Sequence, residues 1–574
     1  MLRGVPSDTP ERFLYLTTTG RISGQPRTIE IWFVERMRRY YIVAERREKA
    51  QWVQNLERDP AVRFRVGARG EEGPTVSAKA RTVREPDLVA AVSSLMNAKY
   101  GWSDGLAVEI LPDRIRSSPA MSAKESDGDK AWGAFVFGSP VGVGHVRVLL
   151  PLAKRLVQRG IKVVWAISGD YDEPASAWRK PLSEIGVHFV DIDETAAFSR
   201  GRTDEFSSAG LIGSLLRRVV GRANDVAVAA ADAIRAAVDG QPVIGGVYDY
   251  FALWSYVAMR RLGVDNVDVV VSAFPAVLGT LPTAAYADDL VYQTELRQLR
   301  SSGFGSFDEL PRDGLIPRDP ALRVLSFSSP RLCPDVPDYV RLLGVQCDAL
   351  PRVDDFASAP EAHQALAHRI RSARDGGAPV LLLSMGTVVT RMFARIGASH
   401  VAFLRRLYAT LAASALRSGA IVIASTCDSS AADLGVDEAI LGPAARDRVI
   451  AMPFVPQPLL LAHGLVDVML MHGGANTFHE AVVSGVPLLI SPAFGDQESV
   501  ARAAAKLGVG ICVEAIMLPA LEGAVPIERV AEELLPAMLA PGITRWKAAA
   551  TSLAAQVKQE NGLDAAEALV LTRR

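Results

Sequence analysis

At 574 residues, with 49% hydrophobic and 22% charged content, the chain is long enough for several domains and apolar enough for more than one buried core. Its 63 basic and 64 acidic residues are interleaved and leave a formal charge of -1, which argues against a nucleic-acid binder held by phosphate neutralisation. Four cysteines without CxxC spacing read as reduced cytosolic thiols; the start MLRGVPSDTPERF has no apolar leader, and a run of about 18 uncharged apolar residues is absent, so a cytoplasmic protein without a membrane span is expected.

From the N-terminus, the stretches 13–18 (FLYLTT), 28–34 (TIEIWFV), 39–45 (RYYIVAE), 61–67 (AVRFRVG) and 75–83 (TVSAKARTV) alternate apolar and polar residues between Gly- and Pro-containing turns. That pattern predicts a small antiparallel barrel over residues 1–116. Residues 117–131 (SSPAMSAKESDGDKA) lose the periodicity and read as a linker, with Met121 placed as if a second gene began there, so two fused parts are expected. After it, 133–139 (GAFVFGS) reads as a strand, 145–160 as a helix and 162–168 (KVVWAIS) as a strand, and 380–386 (VLLLSMG) opens a similar alternation. Such spacing predicts two parallel α/β units, at 132–350 and 378–540, joined by a connection at 351–377. The tail, 541–574, contains an amphipathic helix over 543–560.

The densest chemistry lies at 471–497, MHGGANTFHEAVVSGVPLLISPAFGDQ. An apolar strand ends in His472-Gly473-Gly474 and a helix begins at once. Ligands of parallel sheets sit beyond the carboxyl ends of strands. The two glycines permit a tight turn, while Asn476 and Thr477 open the helix with donors, a natural cradle for a diphosphate. Glu480 lies one turn on, on the side of His472 and Asn476, where it can accept hydrogen bonds from ribose hydroxyls. Asp496 and Gln497 follow the next apolar run and suit sugar hydroxyls. For one histidine alone, a buried structural role is the ordinary reading; packing does not require the whole series of polar residues at strand ends.

Phe454, Pro456-Gln457, His463, His472-Gly473-Gly474, Asn476-Thr477, Glu480, Gly485-Pro487, Pro492 and Asp496-Gln497 together resemble the nucleotide-sugar signature of the family 1 glycosyltransferases, of the UDP-glycosyltransferase and macrolide type. The resemblance implies a GT-B fold of two Rossmann-like domains. It gives His472, Gly474, Asn476 and Thr477 to the diphosphate, Glu480 to the ribose, and Asp496 with Gln497 to the hexose. Ser384-Met385-Gly386-Thr387 resembles the family's Ser-x-Gly-Ser/Thr turn, so Ser384, Gly386 and Thr387 join the donor set with Phe454, Val455 and Gln457. Phe454 stands where many members carry a Trp that stacks on uracil, and Ala475 where plant members carry another.

Gly142-Val143-Gly144 invites a dinucleotide reading, but Arg147 occupies the third glycine position and no acidic residue closes a second strand about twenty positions on. The resemblance instead implies that His145 is the general base and Asp249, at the end of VYD, the carboxylate that supports it. A helix N-cap is the alternative reading of Asp249. The strings Asp170-Tyr171-Asp172 and Asp191-Ile192-Asp193 read as loop residues, and no metal is assigned. The resemblance thus implies inverting transfer of a hexose from a nucleotide diphosphate sugar, UDP-sugar favoured, to a hydroxyl of a small lipophilic acceptor, without a cofactor.

In the first part, 13–35, 44–67 and 94–110 resemble the deazaflavin-dependent, nitroreductase-like split β-barrel oxidoreductases. Relatives read Gly-Arg-Lys-Ser-Gly where this chain has Gly20-Arg21-Ile22-Ser23-Gly24. The resemblance implies a deazaflavin or FMN held by Arg21, Ser23, Arg27, Lys49 and Trp52 through charge and stacking, and a homodimer through the barrel. Two alternatives stay open: redox chemistry as the main activity, and a barrel that only holds a ligand or serves the structure.

Overall fold

The computed structural model describes residues 12–36, 39–69, 75–84, 86–112, 133–169, 174–192, 211–279, 287–346, 360–374 and 376–572. The linker expected at 117–131, residues 351–359 of the expected connection, and Asp170-Tyr171-Asp172 lie outside these described residues. The chain forms two compact units, one built on the residues up to Asp129 and one from Lys130 onward.

The first unit is a seven-stranded antiparallel sheet in the order β2-β1-β5-β6-β7-β4-β3. Its strands are β1 (Arg12–Thr19), β2 (Pro26–Ile31), β3 (Phe33–Arg36), β4 (Arg39–Ala44), β5 (Ala61–Ala68), β6 (Val76–Thr82) and β7 (Leu106–Pro112). Leu14, Leu16, Ile42, Val53, Phe64, Val108 and Ile110 fill the inside. The stretch 28–34, expected as one strand, is split. β2 and β3 lie at opposite edges of the sheet, and the chain crosses between them at Trp32. Trp32 points outward, 39% exposed, and stacks on Tyr100 with ring centres 4.8 Å apart, a contact that a strand residue paired on both sides would not reach.

The second unit holds two parallel sheets. The first has the order β10-β9-β8-β11-β12-β13-β14, from β8 (Ala134–Pro140), β9 (Lys162–Ser168), β10 (His188–Asp191), β11 (Val243–Asp249), β12 (Val267–Val270), β13 (Arg323–Ser326) and β14 (Val340–Leu342). The second has the order β17-β16-β15-β18-β19-β20, from β15 (Val380–Ser384), β16 (Ile421–Ser425), β17 (Val449–Met452), β18 (Val468–Met471), β19 (Leu488–Ile490) and β20 (Gly510–Cys512). β8, β9, β15, β16 and β18 are apolar almost throughout, as strands covered on both faces by helices must be.

In each sheet the chain leaves its first strand in one direction and later returns to build the other side. The strand order therefore reverses between β8 and β11, and again between β15 and β18. Loops diverge at such a reversal and leave a crevice at the carboxyl ends of the strands.

Two features depart from expectation. Within the stretch read as a connection, Glu361–Arg374 is a helix whose Leu366, Ala367 and Ile370 are buried in the core of the second sheet. The tail is two helices, not one. Arg545–Val557 packs on the helix Ala475–Ser484, and Gly562–Leu571 then returns to the first sheet. There Leu563, Ala566 and Val570 are buried, while Asp564 and Glu567 pair with Arg155, and Glu567 also with Arg159 at 2.7 Å. A further apolar seam joins the halves, where Phe274 meets Phe478 edge-on at 5.6 Å.

Candidate active site

β8 ends in Ser139-Pro140-Val141-Gly142, and the helix Val143–Gln158 starts immediately after it. His145 is thus carried on the first turn, its N–H donating to Gly142 O. A Cβ at Gly142 would lie 2.9 Å from His145 Cδ2, so the glycine makes room for the ring. Across the strand reversal, β11 ends in Asp249, whose side chain is fully buried. Asp249 Oδ2 lies 3.1 Å from His145 Nδ1, and Oδ1 accepts the N–H of Phe251 at 3.0 Å. The carboxylate therefore orients the ring and also caps the following turn; the two readings of Asp249 coexist in one side chain. Two neighbours were not foreseen. Ser272 Oγ, just past β12, lies 2.9 Å from the same Nδ1, and Phe251 meets the imidazole edge-on at 5.1 Å. Only Asp249 carried a strand-end signal in the sequence; Ser272 carried none.

The donor residues gather at the other reversal. Gly386 follows β15 with φ +74°, and His472 follows β18. A Cβ on Gly386 would lie 2.7 Å from His472 Cε1, and one on Gly474 would lie 2.6 Å from Nε2, so both glycines define the slot that holds the ring. Gly473, at φ +95°, lets the turn pass Gln497, whose carbonyl a Cβ would meet at 2.8 Å. Burial pushes the His472 pKa down to about 4, so the ring is neutral at pH 7, and its Nδ1 has no hydrogen-bond partner. An enclosed polar atom without a partner, beside a helix start, is one that a ligand oxygen can satisfy. Ser384 and Thr387 flank the Gly386 turn, both partly buried.

After β17, Phe454 projects into solvent at 65% exposure, Val455 is buried, and Gln457 begins the helix Gln457–Ala462. Gln457 Nε2 donates to Glu480 at 3.0 Å and to Thr477 at 3.3 Å, tying the two donor-facing residues of the helix Ala475–Ser484. His463 stands away from them, beside Arg371 at 3.4 Å.

Three donor-set residues also meet the first sheet's loops. Asn476 Nδ2 donates to Gly144 O at 2.7 Å, Glu480 pairs with Arg147 at 2.9 Å, and Asp496 accepts the N–H of Phe274 at 2.6 Å. Burial raises the Asp496 pKa to about 6, against the opposing pull of Phe274 N–H, its own backbone and His145. Gln497 turns its Oε1 inward to the N–H groups of Ala493 and Phe494, at 2.9 and 3.3 Å, so that oxygen is engaged by its own loop. Asp191 is paired with Arg179 at 3.6 Å, and Asp193 lies outside the described residues.

In the barrel, the β1–β2 turn folds onto the start of the helix Gln51–Arg58. Arg21 donates to Gln51 Oε1 at 2.7 Å, and its N–H to Asn55 Oδ1 at 3.0 Å; buried Asn55 also donates to Thr18. Ser23 Oγ accepts from Gln25 N at 3.3 Å and serves its own turn. Trp52 packs partly against the barrel core. Lys49 and Arg27 are exposed, and among the described residues neither they nor Arg21 pairs with a carboxylate. Uncompensated basic charge close to a helix start fits an anionic ligand tail.

Two parallel α/β sheets facing one another, with residues converging at both strand reversals, define the GT-B architecture of glycosyltransferases. Residues 435–530 match the family model of UDP-glucoronosyl and UDP-glucosyl transferase, and residues 6–101 that of F(420)H(2)-dependent quinone reductase. Among curated proteins, the UDP-glycosyltransferase CGT of Oryza sativa subsp. indica is 33% identical over 155 residues, 26% of this chain and 33% of the relative. UDP-glycosyltransferase 708A6 of Zea mays is 35% identical over 137 residues, 23% of this chain and 28% of the relative. The chain thus spans about a third of the length of the curated relatives it matches. Among solved structures, Medicago truncatula UGT71G1 complexed with UDP-glucose aligns over 77% of this chain and 98% of its own, with a TM-score of 0.52 and 14% identity. The glycotransferase of kitacinnamycin aligns over 77% and 99%, with a TM-score of 0.50 and 20% identity. At such identities the likeness shows the fold: GT-B, preceded by a deazaflavin-reductase-type barrel.

Proposed function

We propose that the second unit is an inverting glycosyltransferase that moves a hexose from a nucleotide diphosphate sugar, a UDP-sugar first, to a hydroxyl of a small lipophilic acceptor. The observation that carries this reading is the His145–Asp249 pair at one strand reversal, placed against the His472-Gly473-Gly474 helix start at the other through the 2.7 Å bond from Asn476 to Gly144. With Nδ1 held by Asp249, the imidazole carries its proton there and is basic at Nε2. Nε2 takes the acceptor's hydroxyl proton; the oxygen attacks the anomeric carbon from the face opposite the diphosphate; the bond to the diphosphate oxygen breaks. The buried Asp249 carboxylate stabilises the imidazolium as it forms. The departing charge moves toward the free N–H groups of Ala475–Ser484 and neutral His472, which need no metal to receive it. Phe454, exposed at the rim, supplies an aromatic face for the base, Glu480 an acceptor for ribose hydroxyls, and Asp496 one for hexose hydroxyls.

The barrel's basic turn supports a deazaflavin, with Arg21 and Lys49 toward the anionic tail and FMN as the competing occupant. Such a cofactor supplies hydride chemistry when bound, and the barrel's own part is to hold it. The test is a screen of nucleotide-sugar donors against hydroxyl acceptors, reading released nucleotide and product mass together, with the visible absorbance of the purified protein reporting any bound flavin or deazaflavin. Absence of nucleotide release and of product with every donor removes the transferase reading.

A further inference from the structure

Glu480 is the most enclosed ionisable group of the proposed donor site, its side chain 11% exposed, and each of its oxygens already has a partner. Oε2 accepts from Gln457 Nε2, a neutral neighbour on its own half. Oε1 accepts from Arg147 at 2.9 Å, and Arg147 belongs to the other half, two residues past His145 on the same helix. Burial raises the pKa of Glu480; Arg147 and Gln457 oppose that rise. Between the two helices lies a cavity of about 60 Å³, lined by Arg147, Gln346, Asn476, His479 and Glu480 among others, so the ion pair faces a polar opening and not packed core. His479 on its rim contributes no charge, because burial holds its pKa down at about 4, and its Nε2 lies 3.1 Å from Ser328 Oγ.

A carboxyl that is to read a vicinal diol must accept two hydrogen bonds, which requires it to be ionised and held edge-on to the ligand. A carboxylate this enclosed keeps its charge only with a cation beside it. Its four lone-pair directions leave two free after Arg147 and Gln457 are served, enough for the 2′- and 3′-hydroxyls of one ribose. We propose that Arg147 is a positioning residue for nucleoside recognition: supplied by the half that carries the candidate base, it holds Glu480 as an oriented carboxylate, so that ribose is read over deoxyribose only when the two halves face one another. The inference rests on the glycosyltransferase reading and adds to it a determinant from outside the donor half.

The experiment measures by calorimetry the binding of UDP and of 2′-deoxy-UDP to the full chain, wild type and variants, with donor KM and kcat alongside. Wild type is expected to prefer UDP by on the order of 10–100-fold, the worth of a hydrogen bond to a charged acceptor. R147M and R147Q are expected to bring that ratio to within about threefold of unity by weakening UDP alone, raising donor KM with kcat at saturation nearly unchanged, whereas R147K recovers part of the preference. E480Q is expected to collapse the ratio by itself, and R147M/E480Q to collapse it no further. An intact UDP preference in folded R147M or R147Q, an equal loss for both nucleotides, or a wild type that binds both equally overturns the inference. A wild type that binds neither overturns the glycosyltransferase reading instead.

Discussion

Gly386→Ala is the most revealing small change at the donor turn, because two independent costs fall on one methyl group. The backbone there has φ +74° and ψ 156°, a region essentially reserved for glycine, and an alanine held in it costs about 1–3 kcal/mol. The new Cβ would also lie 2.7 Å from Cε1 and 3.0 Å from Nδ1 of His472, and that ring is itself hemmed in by Gly474. Relief requires moving the imidazole or the turn, at about 1–3 kcal/mol for an overpacked site. A combined loss of about 2–4 kcal/mol would lower the transition of the donor half by roughly 5–15 °C. His472 would be displaced from the diphosphate position at the same time, so UDP affinity should fall by roughly tenfold or more, as one lost hydrogen bond to a charged group implies. Differential scanning calorimetry and UDP titration read the two effects. Gly464→Ala separates them: φ is +63° there but the added Cβ meets nothing within 4 Å, so it carries the backbone cost alone, about 1–2 kcal/mol, and no change in UDP affinity. A Gly386→Ala protein with wild-type transition temperature and UDP affinity would refute the argument that this glycine makes the His472 slot.

Glu480→Ala should raise donor KM while leaving acceptor affinity unchanged, and an unaltered donor titration would remove Glu480 from the site. His472 and His479 stay neutral in the fold down to about pH 4, whereas the unfolded chain takes up its protons near the ordinary histidine value of 6.5. Protons then bind preferentially to the unfolded state, so stability falls as pH drops from about 6.5 to 4, by about 3 kcal/mol per ring at full effect. His479→Gln should flatten that slope in a melting series, and a slope equal to wild type would show that the ring is not held neutral. The barrel and the Rossmann pair each own a buried core, so a fragment of residues 121–574 is expected to fold and to transfer sugar; insolubility or inactivity beside an active full chain would place the boundary elsewhere.

What the sequence disclosed was local. The turn His472-Gly473-Gly474 was legible because its backbone needs are met by the glycines themselves, one at φ +95°, and because strand, turn and helix follow within a dozen residues. His145 and Asp249 were each readable as residues at strand ends, through the family resemblance. Their proximity depends on β8 and β11 being neighbours, although β9 and β10 come between them in the chain. Partners distant in sequence left no trace: Arg147 for Glu480, Gly144 O for Asn476, the Phe274 N–H for Asp496, and Ser272 for His145. The return of Gly562–Leu571 to the first sheet was equally hidden, since an amphipathic stripe states that a helix will be buried and not against what. At Trp32 an unbroken β pattern concealed a change of sheet edge, because side-chain alternation continues through the crossing.

The central claim, that His145 is the base while the donor is bound by the other half, is tested most directly by His145→Ala in the full chain. Transfer and UDP-sugar binding should be measured on the same preparation. The account predicts a turnover lower by roughly 10²–10⁴ with donor affinity within about twofold of wild type, because the imidazole touches the acceptor's proton and not the diphosphate. Full turnover on a hydroxyl acceptor by the His145→Ala protein would contradict it.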